Sequence, residues 1–166
     1  MAIDSNVITL HMCLALLVRV DGCSKMATLS ICVTCRDGNE NEYGGSRGGA
    51  RFAESFLGHA RRGEVSQDFE IRAVRCLSQC KRPCAIALSD FGRFNYIFGD
   101  LEPGNRIQIN ALYELIKLYK SAPEGFLRRR ERPEPLRGNI VGRIPPLETM
   151  SDLIVPLPKR PRGTAL

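Results

Sequence analysis

The chain's 166 residues are 43% hydrophobic and 25% charged, which fits one ordinary domain with appendages and excludes a disordered chain. Its net charge of +6 sits in the tail: residues 1–125 hold 15 Lys/Arg against 14 Asp/Glu, and residues 126–166 hold 9 against 4. The domain therefore offers no basic face interleaved with aromatic rings, and nucleic-acid binding is not expected.

Residues 1–26 read as an N-terminal extension. Its apolar segment 12–18 is too short to span a bilayer, and no Lys or Arg precedes it to make the charged region of an export signal. No membrane attachment is expected, and a reducing cytoplasm is the expected compartment. Met26 directly precedes the first strong strand, so the native start is open between Met1 and Met26. Cys13, Cys23 and His11 belong to this extension.

"ATLSICVT" (27–34) alternates Leu29, Ile31 and Val33 with Ser30, Cys32 and Thr34, the period of a half-buried strand. "RDGNENEYGGSRGG" is polar and glycine-rich, hence a loop. "ARFAESFLGHARR" (50–62) places Phe52, Ala53, Phe56, Leu57 and Ala60 on one helical face, with Gly63 as the stop. "DFEIRAVRC" (68–76) alternates again and runs straight into Cys76. "AIALSD" and "FNYIFGD", parted by Phe91-Gly92-Arg93, form a hairpin. "NRIQINALYELIKLYKS" (105–121) is a second helix, ended by Pro123 and Gly125. The order β-α-β-β-β-α predicts an α/β sandwich of thioredoxin type, a small mixed sheet with two helices, over residues 27–121. Residues 122–166 hold eight of the ten prolines and read as an extended Pro/Arg-rich arm, wrapping the domain or docking a partner.

Five cysteines fall at informative places. Cys32 and Cys35 end the first strand, and "CLSQCKRPC" puts Cys76, Cys80 and Cys84 after the second. If the strands are neighbours, their carboxyl ends open on one edge and the two groups converge. Thiolates suit zinc and iron–sulfur clusters, which usually take four of them. Lys81 and Arg82 would favour the thiolate form and tune a bound group. The alternatives are ordinary buried thiols and dithiol redox chemistry at Cys32 and Cys35. The redox reading is weakened by the poor helix after Cys35. His59 reads as a helix-surface residue, and "GGSRGGAR" lacks the spacing of a phosphate loop.

Taken together, "ICVTCRDG", "GARFAESF", "VRCLSQCKRPCAIAL", "YIFGDLEP" and "FLRRRERPEPLRGNIVGRIPPL" resemble a family of bacterial proteins of unknown function described as metal-binding. The resemblance covers residues 29–147. Family members are often found among cobalamin or cobalt-uptake genes, which implies a supporting role there. More distantly, "CLSQCKRPCAIALSDFGRFNYIF" is similar to the second half of thioredoxin-like [2Fe–2S] ferredoxins. That similarity implies Cys35, Cys76 and Cys80 as cluster ligands. Those ferredoxins carry a further cysteine where this chain has "GGSRGGA", so the fourth ligand must be Cys84, or failing that Cys32.

The expectation is a metal-binding protein rather than an enzyme: a [2Fe–2S] electron carrier serving a redox or metal-handling partner in cobalt or corrinoid metabolism. Arg128, Arg129, Arg130, Arg132 and Arg137 would form a second docking surface or a solvated wrap. A zinc or cobalt chaperone and a thiol–disulfide oxidoreductase are the alternatives.

Overall fold

The structure is a computed structural model that describes residues 26–60, 69–149 and 151–157. The N-terminal extension, the stop expected at Gly63 and the last residues of the tail lie outside the described residues.

Strands β1 (Ala27–Cys32) and β2 (Phe69–Val74) are parallel, with Ala27 opposite Phe69 and Cys32 opposite Val74. Helix α1 (Gly48–His59) lies in the crossover between them. β3 (Ile86–Ser89) runs antiparallel to β1 and forms a hairpin with β4 (Asn95–Phe98). Helix α2 (Arg106–Ser121) follows, and a last strand, β5 (Ile140–Ile144), adds antiparallel to β4. The sheet order is β2-β1-β3-β4-β5. This is the expected thioredoxin-like sandwich, with one strand more than the sequence announced.

Cross-strand register builds the core. Leu29 faces Leu88, Ile31 faces Ile86, and the next rank is Phe98 opposite Ile86 and Tyr96 opposite Leu88, all buried. The helices cover this face. Tyr119 meets Tyr96 edge-on at 6.0 Å, while Tyr113 stacks on Phe56 of α1 at 4.4 Å and donates its hydroxyl to the Phe56 carbonyl. In α2, Ile109, Leu112, Leu115, Ile116 and Tyr119 recur at helical spacing and are buried as expected. Asn105 caps the helix, its side chain accepting from the Ile107 and Gln108 N–H groups at 3.1 Å. At the other end Arg93 donates to the carbonyls of Tyr119 and Ala122, both at 3.0 Å.

Three expectations need correction. α1 begins at Gly48, and its inner face runs through Phe52, Phe56 and His59; Leu57 is exposed and His59 is buried. Those three stand at i, i+4 and i+7, so spacing overrides residue type. β1 is buried on both faces because it is central: Ser30, 3% exposed, accepts from Arg72 Nε at 2.8 Å. The arm is more than a solvated wrap. It forms the 3₁₀ turns Pro123–Gly125, Arg129–Glu131 and Glu134–Leu136 before β5. Its arginines stitch these turns together: Arg132 Nε donates to Leu127, Arg137 to Arg130 and Arg132, and Arg129 to Arg137, all at backbone carbonyls. Among the described residues no helix is long and apolar enough to cross a membrane.

Candidate functional site

Because β1 and β2 are parallel, both end on one edge of the sheet, and the chain is tied there. Val33 N–H donates to the Val74 carbonyl at 3.0 Å, and the Thr34 hydroxyl donates to the Arg75 carbonyl. From the other side, Cys32 N–H donates to the carbonyl of Ala85 at 3.0 Å, which brings the entry of β3 against the end of β1. Cys84 is fixed by a reciprocal pair of backbone bonds with Leu101. The 75–85 loop therefore passes from β2 over the end of β1 to β3. Cys32, Cys35 and Cys84 are buried at the centre of this edge, and Cys76 and Cys80 are exposed on the loop.

Helix α1 closes the site from its N-terminal end. Gly49 N–H donates to the Cys35 carbonyl at 3.1 Å, and a Cβ at Gly49 would run into the Cys32 carbonyl oxygen. The glycine pair 48–49, read from sequence as part of a loop, is thus the place where helix backbone meets the cysteine turn. Although the chain after Cys35 is a loop, the helix it leads to returns to that turn. Gly48 abuts Asp37, whose carboxylate pairs with Arg51 at 2.5 Å; Arg51 also lies over the Tyr43 ring at 4.0 Å. Burial works against the Asp37 charge, but the Arg51 bond prevails and holds its pKa below the usual carboxylate value.

The thiols influence one another. Burial first, then Cys32 and a charge on Cys80, pushes Cys35 up to about 11. Burial, reinforced by charges on Cys35 and Asp37, pushes Cys84 up to about 12. Cys32 is also raised by burial, but hydrogen bonds from the Cys35 side chain, the Leu77 backbone and Thr34 bring it below its ordinary value. Cys76 accepts the Ser78 N–H at 3.2 Å, in a turn where Ser78 has a φ of 55°.

The two cations expected to tune the sulfurs differ in how they are held. Arg82 forks onto Asp100 (2.7 and 2.5 Å) and donates to the carbonyls of Gly138 and Ile140 at 3.1 and 3.2 Å. It clamps the cysteine loop to the β4 exit and to the arm. Lys81 is exposed. Leu77, Ser78 and Thr34, which supply hydrogen bonds to the sulfurs, were not singled out from the sequence; no spacing rule marks them.

The donors suit a soft metal: five thiols, with the nearby Asp37 carboxylate already held by Arg51. Among the described residues, no three His, Cys, Asp or Glu side chains stand close enough to hold one ion. Cys32, Cys80 and Cys84 interact electrostatically with Cys35, while Cys76 bonds within its own turn to Ser78.

No curated protein matches the chain. Among solved structures, a thioredoxin-like [2Fe–2S] ferredoxin from Aquifex aeolicus is similar at 14% identity with a TM-score of 0.39, over 76% of this chain and 100% of that one. Residues 29–146 match the family described as protein of unknown function (DUF1636), and to that family the chain belongs.

Proposed function

We propose that this protein carries a cysteine-ligated metal centre, a [2Fe–2S] cluster, and passes electrons to a redox or metal-handling partner in the cytoplasm, where thiols stay reduced. One observation carries the reading. Two cysteine groups, separated by forty residues between Cys35 and Cys76, follow the ends of two parallel neighbouring strands and so meet one sheet edge. Cys35, Cys76, Cys80 and Cys84 would hold the group, which supplies one-electron transfer when bound.

The chain's own residues prepare that role. Burial keeps Cys35 and Cys84 as thiols, so each must give up a proton when it ligates. The Ser78 N–H already points at Cys76 Sγ, a bond that stabilises sulfur charge. Arg82 anchors the loop that presents Cys80, and Lys81, on its exposed side, is available to an acidic partner.

Anaerobic purification, a visible spectrum and quantification of iron, sulfide, zinc and cobalt test this. A brown protein with equal iron and sulfide, lost in Cys35→Ser, supports the cluster. A colourless protein holding zinc or cobalt overturns electron transfer in favour of a chaperone or storage role, which the same thiol donors serve. A metal-free protein overturns both.

A further inference from the structure

We propose that two copies of this chain pair through the free edge of β2, antiparallel and centred on Ile71, so that Glu70 of each copy lies opposite Arg72 of the other. The pairing uses none of the cysteines and is independent of the metal centre proposed above.

The sheet ends at β2 on one side and at β5 on the other, and the two edges differ. β5 is out of step with β4 between Ile97 and Phe98, holds Gly142 and runs into Pro145 and Pro146, all features that blunt an edge. β2 keeps unbroken register with β1 from Phe69 to Val74 and holds neither glycine nor proline. Its open backbone groups follow from one bond. The Val74 carbonyl accepts from Val33 N–H, so the Val74 backbone faces β1. Backbone groups alternate sides along a strand. Those of Glu70 and Arg72 therefore also face β1, and those of Phe69, Ile71 and Ala73 face the free edge. The same three residues form the strand's apolar face, where Phe69 and Ile71 are half-buried against the core and Ala73 is exposed.

The opposite face supplies the charge. Glu70 accepts the Thr28 hydroxyl at 3.3 Å, and Arg72 donates through Nε to Ser30 at 2.8 Å. Among the described residues neither is paired with an opposite charge. A strand that pairs with its own copy about a two-fold axis joins outward-facing residues to outward-facing ones, which leaves a choice of centres. Centring on Phe69 or Ala73 leaves at least half of each strand without a partner. Centring on Glu70 sets Glu70 against Glu70, and centring on Arg72 sets Arg72 against Arg72. Centring on Ile71 joins Ile71 to Ile71 and Phe69 to Ala73 in hydrogen-bonded pairs. It also sets Glu70 against Arg72 twice, in the non-hydrogen-bonded positions where Cα atoms approach to about 4.5 Å and side chains are closest. Opposite charges stabilise such pairs and like charges oppose them, so charge selects the register. The contact is isologous and closes as a dimer with one continuous sheet. Because the second copy's strands run the other way, the two cysteine edges fall at opposite ends of that sheet and neither covers the other.

Sedimentation equilibrium and amide hydrogen exchange on the reduced full chain test the pairing. Wild type should approach twice its monomer mass of 18.5 kDa as concentration rises, and exchange at the Ile71 and Ala73 amides should slow in step. Glu70→Arg and Arg72→Glu each put like charges into both pairs and should weaken dimerisation at least about tenfold. The double variant Glu70→Arg with Arg72→Glu rebuilds both pairs and should return to within about threefold of wild type. Both side chains are exposed, and circular dichroism checks that each variant folds; the concentration dependence of exchange in wild type needs no variant. A monomer at every concentration up to about 100 μM, a dimer indifferent to either single substitution, or a double variant as weak as the singles overturns the proposal. Iron, sulfide, zinc and cobalt measured on the same samples decide the metal centre separately, so either idea fails without the other.

Discussion

Cys35 and Cys84 are held as neutral thiols, with values of about 11 and about 12 against an ordinary 9.0, chiefly because burial penalises the thiolate. The sign of the resulting pH dependence follows from proton linkage. Below pH 9.0 both the folded and the unfolded chain keep these protons, and the contribution to stability is complete. Above it the unfolded chain releases them first, so stability falls as pH rises towards the folded values. The metal-free chain should lose on the order of 2 to 4 kcal/mol between pH 8.5 and 11. Urea midpoints across that range measure it, and a flat series would contradict the burial of these thiols. At Gly49 the argument is steric. Gly49→Ala pushes a methyl group into the Cys32 carbonyl and should cost about 2 to 4 kcal/mol, displacing the turn that sets Cys35. Gly58→Ala, on the same helix with nothing near its Cβ position, should instead gain up to about 1 kcal/mol. Thermal melts of the pair separate collision from helix propensity.

The 75–85 loop is the least regular element of the site, and Arg82 is what fixes it. Its fork binds one carboxylate and two carbonyls contributed by the β4 exit and the arm. Arg82→Met should cost about 2 to 3 kcal/mol and speed hydrogen exchange in residues 76–84, and Arg82→Lys should recover little because a point charge cannot match the fork. If exchange in the loop does not change, the clamp is not what orders it. The sequence could not show this, since the three residues that meet at Arg82 are 18 to 58 positions away. Periodicity did mark α2, whose apolar positions lie on one face as read, and two short apolar runs parted by Phe91-Gly92-Arg93 marked the hairpin, whose inner residues are Ile86, Leu88, Tyr96 and Phe98. It also carried the correct α1 face through Phe52, Phe56 and His59, hidden only by the habit of placing histidine outside. β5 escaped because "IVGRI" is short, holds Gly142 and is preceded by proline-rich turns; its partner strand β4 supplies the reason to extend. For the site, spacing singled out the five cysteines as candidates, while the parallel register that brings the ends of β1 and β2 to one edge is a non-local fact.

At the scale of the molecule, the arm decides where the folding unit ends. Leu127 and Leu136 are 4% and 0% exposed, Leu127 N–H donates to the Tyr96 hydroxyl at 2.8 Å, and Arg143 covers the Phe126 ring at 4.3 Å. β5 pairs along β4, so removing it bares a strand edge and opens the core behind it. A boundary at residue 121 therefore cuts through the core, although composition changes sharply there. A chain ending at residue 122 should lose cooperative unfolding and aggregate, whereas one ending at residue 149 should keep the midpoint of the full chain. Leu136→Ala should cost about 2 to 5 kcal/mol, the range for a fully buried leucine that leaves a cavity. The three proteins can be compared by circular dichroism in urea. If the 122-residue chain melted at the full-length midpoint, the arm would be an appendage, and Arg82 would have lost Gly138 and Ile140 without consequence for the cysteine loop.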